Sequence, residues 1–506
     1  MKNYIPFGFL IVISIFLHSM SIDKMPMSAF AWAHADHYAL AQGFLDNGFD
    51  FFHPKTFSLN PGLPPEKELA NPQGITASDF PLLHYVVAIA FKLTGQVSPI
   101  VYRIIVLLWS LVCFFMLFKS ILYFKGKIYA FLICSFVFLQ PCYSFYQDNF
   151  HVCATAYNTF VLGLSYLLHY FNNNSYKKKF YLGIIFLTLA ALMRFIQIIP
   201  IIAILCTFIV QSIRNRKFEI KILTCLISLF CVVSYFIYNQ FLARKYGSVF
   251  MNAPDFVKNL HEVYFYMKQI LLVYPRLVLP PAHFIVIIAL IVLFFKQTTM
   301  DKLMKPLFLW MMLNAIGALL FTILMLENVS VHEYYSIDVW LPVITLLLIY
   351  LLFTIDLTTL KKSKVVLFIS VTFLAGLFIA SRSQYKRYDS VFSNVLNGGE
   401  DKIIQTFKDS KSYLDNMLSE DQKVLIICES GRNIPQVGWP RDVYRIGGNT
   451  FEYYNKIMDK KYDAIVTYNA TFNEKLLKFH PEFLSSVDFV NSNGKVTIWK
   501  HKGMIN

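Results

Sequence analysis

The feature of this sequence that most limits its fold is a series of apolar runs, each long enough to cross the hydrocarbon core of a membrane as a helix. The run 180–212 is too long for one crossing, and Arg194 and Pro200 interrupt it, which predicts two short helices with a turn near 194–198. Nine further runs bring the predicted spans to eleven, at 4–20, 98–122, 128–147, 152–171, 219–241, 278–296, 306–326, 339–355 and 364–380. Because 56% of the residues are hydrophobic and 15% are charged, we expect a polytopic α-helical membrane protein.

The basic residues predict how the spans are oriented. A net charge of +15 would point to nucleic acid in a soluble protein, but in a membrane protein basic residues gather in cytoplasmic loops, so no nucleic-acid partner is expected. The deciding segment is 80–94, which contains His84 and Lys92. If this segment does not span and the N-terminus is cytoplasmic, five basic clusters are cytoplasmic, at 119–127, 177–179, 214–221, 296–305 and 361–364. If it spans, all five move outside, so the positive-inside rule favours a surface or re-entrant helix.

This orientation places residues 21–97 in one long outer loop, called the first loop below, and puts the C-terminus on the same side. The run 4–20 is alternatively a cleaved signal peptide, although no clear small-x-small cleavage site follows it. In a Gram-negative bacterium, the chain would be a multi-pass protein of the inner membrane, with a cytoplasmic N-terminus and a periplasmic C-terminal domain.

The C-terminal tail, residues 381–506, differs in composition from the spans. Its strands and helices alternate, which predicts a small α/β domain beside a membrane module at 1–380. The expected elements are helices at 399–418, 451–460 and 471–479, and strands at 423–428, 463–468, 485–490 and 495–500. The turn Glu429-Ser430-Gly431-Arg432 follows the first strand, where α/β domains often place ligands, and either covers a substrate or is a structural cap.

Asp36 lies at the mouth of the first span, within a helix-like stretch and between two histidines, His34 and His37. Ionisable groups at a membrane boundary point to function, because burying them without a partner is costly. The alternative is a solvated helix start. The two histidines are one helical turn apart, but two histidines without a third ligand are a weak zinc signal.

Two short motifs of the first loop carry a family resemblance. One is Asp36-His37-Tyr38 followed by Ala41 and Phe44, and the other is Asp79-Phe80-Pro81 followed by Tyr85 and Gly95. Together with the many spans, the juxtamembrane helices and the outer α/β tail, they resemble the GT-C integral-membrane glycosyltransferases. The nearest branch is that of the protein O-mannosyltransferases and the lipid A aminoarabinose transferase.

The resemblance implies a glycosyltransferase that takes a sugar from a polyprenyl-phosphate donor. The acceptor would be a glycolipid, a polysaccharide or a protein hydroxyl on the periplasmic face, within a bilayer whose lipids surround the spans. Asp36 is then the general base or positions the acceptor, with His37 and Tyr38 beside it as substrate-binding residues. Asp79 matches the second acidic position and would bind the acceptor or a bridging cation, or else it is the N-cap of the 80–94 helix.

The same resemblance assigns the donor side. Arg103 and Arg194 are the candidates for holding the leaving phosphate, although either arginine could instead snorkel to lipid headgroups. The element His332-Glu333-Tyr334-Tyr335 matches a motif near the donor pocket, and its alternative is an interfacial aromatic belt.

One departure from the family concerns the second active-site carboxylate. Many relatives carry a Pro-Asp pair at the outer start of span 4, where this chain has Val152-Cys153. Asp148 is the nearest acid and is predicted to take this catalytic role, with His151 as another contributor. The departure also weakens a metal-dependent model, because a divalent cation is usually bound by two or more oxygen ligands. No cofactor is expected beyond a possible divalent cation.

Two other classes of membrane protein remain as alternatives. A transporter or lipid flippase should show inverted repeats and polar groups at mid-membrane, whereas here the polar groups gather at the outer edge. An O-antigen polymerase or ligase tends to carry its large loop late in the bundle, whereas this chain carries it after the first span.

Overall fold

The computed structural model describes residues 2–28, 30–59, 73–250, 257–296, 304–357, 361–388, 399–431, 433–447, 454–460 and 462–502. Arg432, in the turn after the first predicted strand, and the start of the helix expected at 451–460 lie outside the described residues. The chain forms two compact units. The first contains Met1–Ile22, Tyr102–Phe236 and Ala253–Tyr385, and the second contains Asp23–Val101, Ile237–Asn252 and Lys386–Asn506. The division predicted between 380 and 381 stays a prediction.

Helices dominate the chain up to Tyr388. In chain order they are α1 Ile5–His18, α2 Ala31–Asp46, α3 Leu82–Thr94, α4 Pro99–Lys125, α5 Lys127–Phe138, α6 Pro141–Tyr146, α7 Val152–Asn172, α8 Lys177–Met193, α9 Ile198–Asn215, α10 Ile220–Tyr246, α11 Leu260–Leu277, α12 Pro281–Lys296, α13 Met304–Leu324, α14 Leu326–Val331, α15 Tyr335–Thr354 and α16 Lys362–Tyr388. Ten of the eleven predicted spans each coincide with one helix, and the span predicted at 128–147 falls on two, α5 and α6.

Six helices of the described chain are long and apolar enough to cross a membrane, judged by length and composition: Pro99–Lys125, Phe195–Asn215, Ile220–Tyr246, Lys305–Leu324, Tyr335–Thr354 and Ser363–Tyr388. Shorter apolar helices accompany them, at Ile5–His18, Leu82–Thr94, Lys127–Phe138 and Pro281–Lys296. The polytopic helical fold class is thereby confirmed.

The predicted interruption near residue 194 is confirmed, and a second one was missed. Helix α8 ends at Met193, Arg194 is extended, and a 3₁₀ turn leads into α9 at Ile198. The run 128–147, expected to be one helix, breaks between α5 and α6 because Pro141 disfavours helical geometry at Gln140. The Gln140 side chain accepts a hydrogen bond from the Tyr143 N–H and so caps α6.

The C-terminal tail folds as the predicted α/β domain. Its remaining elements are α17 Glu400–Asp409, α18 Lys411–Met417, β1 Val424–Ile427, α19 Ile434–Gly438, β2 Tyr444–Ile446, α20 Tyr454–Met458, β3 Ala464–Tyr468, α21 Asn469–Thr471, a π-helical turn Phe472–Leu477, α22 Phe483–Ser486, β4 Val487–Ser492 and β5 Val496–His501. The strand order is β2-β1-β3-β5-β4; β1 runs parallel to β2 and β3, whereas β5 is antiparallel to β3 and β4. The three-residue strand β2 was not expected.

The first loop and the tail pack together within the second unit. The Leu59 N–H donates to the Val443 carbonyl, and the Val443 N–H donates to the Phe57 carbonyl, so this stretch of the loop runs beside β2. The Leu59 side chain joins the buried core of the sheet. Lys55 Nζ lies 2.7 Å from Asp442 Oδ2 and adds an ion pair between the same two segments.

Helix α2 is buried along most of its length, which its small residues permit. A Cβ at Gly43 would lie 2.0 Å from the Lys55 carbonyl oxygen, so only glycine allows this approach.

Helix α3 packs a buried stripe against α2 and exposes a second apolar stripe that includes Val86, Ile89 and Leu93. Its thirteen residues extend only about 20 Å, well short of a bilayer core. This geometry agrees with the expected surface helix.

Candidate functional site

The carboxylate of Asp36 is buried on α2 and is held by the tail. Only 1% of Asp36 is exposed, and Asn433 Nδ2 donates a hydrogen bond of 2.7 Å to its Oδ1. Asn433 is fully buried. It lies in the turn that follows β1 and directly precedes α19. An amide donor favours the ionised form of a carboxylate and fixes the orientation of its oxygens. Asp36 thus sits in a built polar environment, unlike the solvated helix start that was the alternative.

A second carboxylate, Glu400, holds the first turn of the same helix. Glu400 Oε2 accepts a hydrogen bond of 3.1 Å from the Trp32 N–H, and its Oε1 accepts one of 2.9 Å from the Gly431 N–H. The first backbone N–H groups of a helix lack partners within that helix, so a carboxylate there acts as a cap. Glu400 is itself the first residue of α17, and it therefore joins two elements of the second unit to α2.

Burial raises the pKa of Glu400 to about 7, although the two backbone hydrogen bonds oppose this change. The negative charge of Asp36 raises the pKa further, as does that of Asp401. Two carboxylates of the second unit, Asp36 and Glu400, are therefore electrostatically coupled, and Glu400 had not been singled out from the sequence.

His37 and Tyr38, the predicted substrate-binding neighbours of Asp36, lie in packed surroundings. His37 Nδ1 is 2.9 Å from His84 Nε2, and the two imidazole rings stack with centroids 5.0 Å apart. The buried Tyr38 ring packs edge-on against Phe91. Because Tyr38 follows Asp36 by two residues, it points to nearly the opposite side of α2. Their predicted roles remain predictions.

Asp79 is partly exposed in the segment before α3. The N-cap position of that helix is occupied by Pro81, with no side-chain cap hydrogen bond. The alternative that Asp79 is the N-cap is therefore wrong, since the helix begins later than the sequence pattern indicated. Its family-derived role at the acceptor stays a prediction.

In the first unit, Asp148 forms a fully buried charge cluster. Its carboxylate accepts a hydrogen bond of 2.6 Å from Ser21 Oγ and lies 3.2 Å from His18 Nδ1 and 3.5 Å from Arg103 Nη1. The structure thus brings together two predicted site residues, Asp148 and Arg103, and adds His18 at the end of α1. The Arg103 guanidinium also stacks over the Phe150 ring, 4.4 Å from its centroid.

Arg194 is paired with a carboxylate that had not been predicted. Its Nε and Nη2 atoms donate hydrogen bonds of 3.0 and 2.7 Å to Oδ2 of Asp338, in the first turn of α15. The guanidinium also faces the rings of Tyr334 and Tyr335, 5.9 and 5.7 Å from their centroids. Arg194 is therefore a partly buried arginine paired with a buried carboxylate, which argues against one that only snorkels to headgroups.

The element His332-Glu333-Tyr334-Tyr335 surrounds this arginine. The His332 ring lies against Tyr334, and so does the ring of His151, with a centroid distance of 4.2 Å in the second case. Glu333 is 8% exposed, and its carbonyl accepts a hydrogen bond from Ser336 Oγ. The burial of Tyr334 and Glu333 disagrees with a plain aromatic belt facing lipid headgroups.

Four residues of these clusters escaped the sequence reasoning: His18, Asp338, Glu400 and Asn433. His18 and Asp338 carried a usable signal, because each is an ionisable residue at the end of an apolar run. Glu400 and Asn433 carried none, since a Glu at a helix start and an Asn in a turn are ordinary surface residues.

Within the described ranges, no set of three or more His, Cys, Asp or Glu side chains is arranged to hold a metal ion. The possible divalent cation stays an untested expectation.

Comparison with solved structures identifies the class of fold: the chain has an ArnT-like fold, with many membrane helices and a small C-terminal sheet. The similar structures include ArnT from Cupriavidus metallidurans bound to undecaprenyl phosphate, with a TM-score of 0.62, 11% identity and 97% of each chain covered. The apo state of the same ArnT matches with a TM-score of 0.58, 10% identity and the same coverage.

The oligosaccharyltransferase of Archaeoglobus fulgidus, solved with zinc and sulfate, matches with a TM-score of 0.51 and 11% identity, over 98% of this chain and 73% of that one. No family model and no curated protein matches the sequence. The similarity of this chain to the solved structures is therefore a similarity of fold.

Proposed function

We propose that this protein is a membrane glycosyltransferase that moves a sugar from a polyprenyl-phosphate donor to a hydroxyl group of an acceptor. The observation that carries the proposal is the fold, which is shared along 97% of the chain with an ArnT that was solved with undecaprenyl phosphate. The buried carboxylate of Asp36, held by Asn433, supplies the base that such a transfer needs.

In the proposed reaction, the acceptor oxygen attacks the anomeric carbon of the donor sugar. Its proton passes to the Asp36 carboxylate, and the bond between the anomeric carbon and the phosphate oxygen breaks with its electron pair left on the phosphate. The leaving phosphate is a weak base, so it needs no acid but does need cations to hold its growing charge. Arg103 and Arg194 are the proposed cations.

Both arginines are partnered by carboxylates, which bears on how they would bind phosphate. A guanidinium carries five N–H donors in a fork, and Asp338 engages two nitrogens of Arg194. A carboxylate partner of this kind holds the guanidinium in place without using its whole donor set. Asp148 would play the same part for Arg103, or supply the second active-site carboxylate that the family pattern implies.

The orientation and compartment belong to the same proposal. With the N-terminus cytoplasmic, the first loop and the tail lie on the periplasmic face of a bacterial inner membrane, where glycolipid, polysaccharide or protein acceptors are found. The five basic clusters of the short loops support this orientation.

The direct test is sugar transfer by the purified protein. A panel of sugars on undecaprenyl phosphate would be incubated with envelope glycolipids and glycoproteins, and product and released undecaprenyl phosphate measured. We expect Asp36→Asn to lower transfer more than a hundredfold, since a general base contributes about 10²–10⁴-fold. Asp50→Asn, which alters an exposed carboxylate of the same loop, should be fully active.

Full activity of Asp36→Asn would contradict the base assignment. A wild-type protein that moves lipid across vesicles without releasing undecaprenyl phosphate would instead favour the transporter or flippase alternative.

A further inference from the structure

We propose that the C-terminal tail is a working part of the catalytic centre, in which Asn433 positions the carboxylate of Asp36 and Glu400 positions the helix that carries it. The inference rests on the proposed role of Asp36 as base. It assigns two positioning residues to a domain whose turn at 429–432 was expected only to cover a substrate or to serve as a structural cap.

The first step of the argument is the separation along the chain. Asn433 reaches Asp36 across 397 positions, and Glu400 reaches Trp32 across 368. Both contacts are made with the N-terminal half of α2; the Asn433 contact is buried and the Glu400 contact is partly buried. Two independent elements of the tail, the start of α17 and the turn after β1, therefore converge on one turn and a half of one helix.

The second step is the close approach of the tail turn to α2. A Cβ at Gly431 would lie 2.2 Å from the Trp32 Cβ and 3.1 Å from Glu400 Oε1. No side chain fits in this gap, so the absence of one at position 431 is a condition for both hydrogen bonds of Glu400. Arg445 also holds this turn, because its Nη1 atom donates a hydrogen bond of 2.6 Å to the Ser430 carbonyl.

The third step is chemical. A base in a transfer reaction must present one lone pair to the acceptor proton within a few tenths of an ångström, and small misplacements are costly. The Asn433 amide binds Oδ1 of Asp36 and thereby sets the direction of the other oxygen. Glu400 sets the axial position of α2, and its ionisation responds to the charge on Asp36.

The test compares Asn433 variants in a transfer assay with the purified full-length protein and undecaprenyl-phosphate sugars. Asn433→Ala should lower kcat about ten- to a hundredfold while the KM for the donor stays within about twofold, the loss expected for one charge-assisted hydrogen bond that orients a base. Asn433→Asp replaces the donor with a second carboxylate, so the rising limb of the pH–rate profile should move to higher pH. An asparagine that does not contact the catalytic base would not move that limb. Asn455→Asp, at an exposed site of the tail, is the matched control.

Hydrogen exchange of the full-length protein in detergent tests Glu400 without any substrate. Glu400→Gln should speed exchange in the segment that contains Trp32 by about tenfold or more, because one N–H bond of the helix start is lost, and exchange in α4 should not change. Unchanged exchange at the start of α2 would overturn the role of Glu400.

The two proposals fail in different ways. If the wild type transfers sugar while Asn433→Ala and Asn433→Asp keep its kcat and its pH profile, the role of Asn433 is overturned and the proposed function stands. If the wild type transfers no sugar from any donor, both proposals are overturned, whatever hydrogen exchange reports about the contact.

Discussion

The amide of Asn433 and the carboxylate of Asp36 form a hydrogen bond of 2.7 Å between the tail and the first loop, deep inside the second unit. Neither residue is exposed by more than 1%. Burying a carboxylate costs several kcal/mol unless hydrogen bonds compensate for it, so the bond from the folded tail contributes to making the buried position of Asp36 tolerable. Any change that displaces the tail turn should therefore disturb the position of the Asp36 carboxylate.

Replacing Gly431 by alanine should displace that turn. The added Cβ would meet the Trp32 side chain at 2.2 Å, and overpacking of this kind costs about 1–3 kcal/mol in a close-packed interior. We expect a lower melting temperature and at least a tenfold loss of sugar transfer, measured on the purified protein. Gly8→Ala is the control, since its added Cβ would meet no atom within 4 Å beyond its chain neighbours and the backbone of its own helix. Equal behaviour of the two variants would show that the turn can move without consequence.

The stability of the protein should depend on pH through Glu400. Its pKa is raised from 4.5 in the unfolded chain to about 7 in the folded protein, first because of burial. Between these values the folded state holds a proton that the unfolded chain has released, so this contribution to stability is complete below pH 4.5 and is lost as the pH rises to 7. The charges of Asp36 and Asp401 act on Glu400, and Glu400 in turn acts on the Cys428 thiol together with Glu429 and Arg445.

The measurement is the melting temperature at pH 5 and at pH 8 for the wild type and for Glu400→Gln. The variant lacks this titration, so its melting temperature relative to the wild type should be higher at pH 8 than at pH 5. Glu474→Gln, at an exposed site of the tail, should follow the wild type at both pH values. A constant difference between Glu400→Gln and the wild type would contradict the assigned pKa.

The sequence predicted most of the helical fold because burial in lipid demands continuous apolar runs, which composition reveals directly. The break at Arg194 was visible for the same reason, since a charge and a proline stand inside such a run. The break before Pro141 was missed, although that proline disfavours helical geometry at Gln140, because no charge marks it and the run continues beyond it.

The candidate site was predictable only in part. Asp36, Arg103, Asp148 and Arg194 stood out as charged residues next to apolar runs. Their partners depend on contacts over long sequence distances, as between Arg194 and Asp338 or between Asp36 and Asn433. Strand β2 was missed because three residues between turns are too few to show the alternation of a strand. Local propensity does not encode such pairings, which arise only when the tertiary structure forms.

The topology can be tested by reporter fusions. Alkaline phosphatase fused after residue 96 should be active and a cytoplasmic fluorescent reporter at the same point should be dark, because the positive-inside rule puts the first loop outside. Fusions after residue 126 should show the reverse pattern, since that loop carries Lys119, Lys125 and Lys127. The opposite result at residue 96 would make α3 a true span and would move the tail to the cytoplasm.

Arg194 offers the sharpest test of the donor side. Its guanidinium is fixed by Asp338 and by two tyrosine rings, so a phosphate that binds there would meet a pre-oriented fork. Arg194→Gln should weaken the binding of undecaprenyl phosphate and raise the KM for the donor, each by about ten- to a hundredfold, as expected for the loss of a charge-assisted pair. Arg194→Lys should recover little of this, because an ammonium cannot reproduce the fork. Arg214→Gln, at an exposed arginine near the end of α9, serves as the control and should bind the lipid normally. Undecaprenyl phosphate binding that is unaffected by Arg194→Gln would remove Arg194 from the phosphate site and leave its pairing with Asp338 as a purely structural contact.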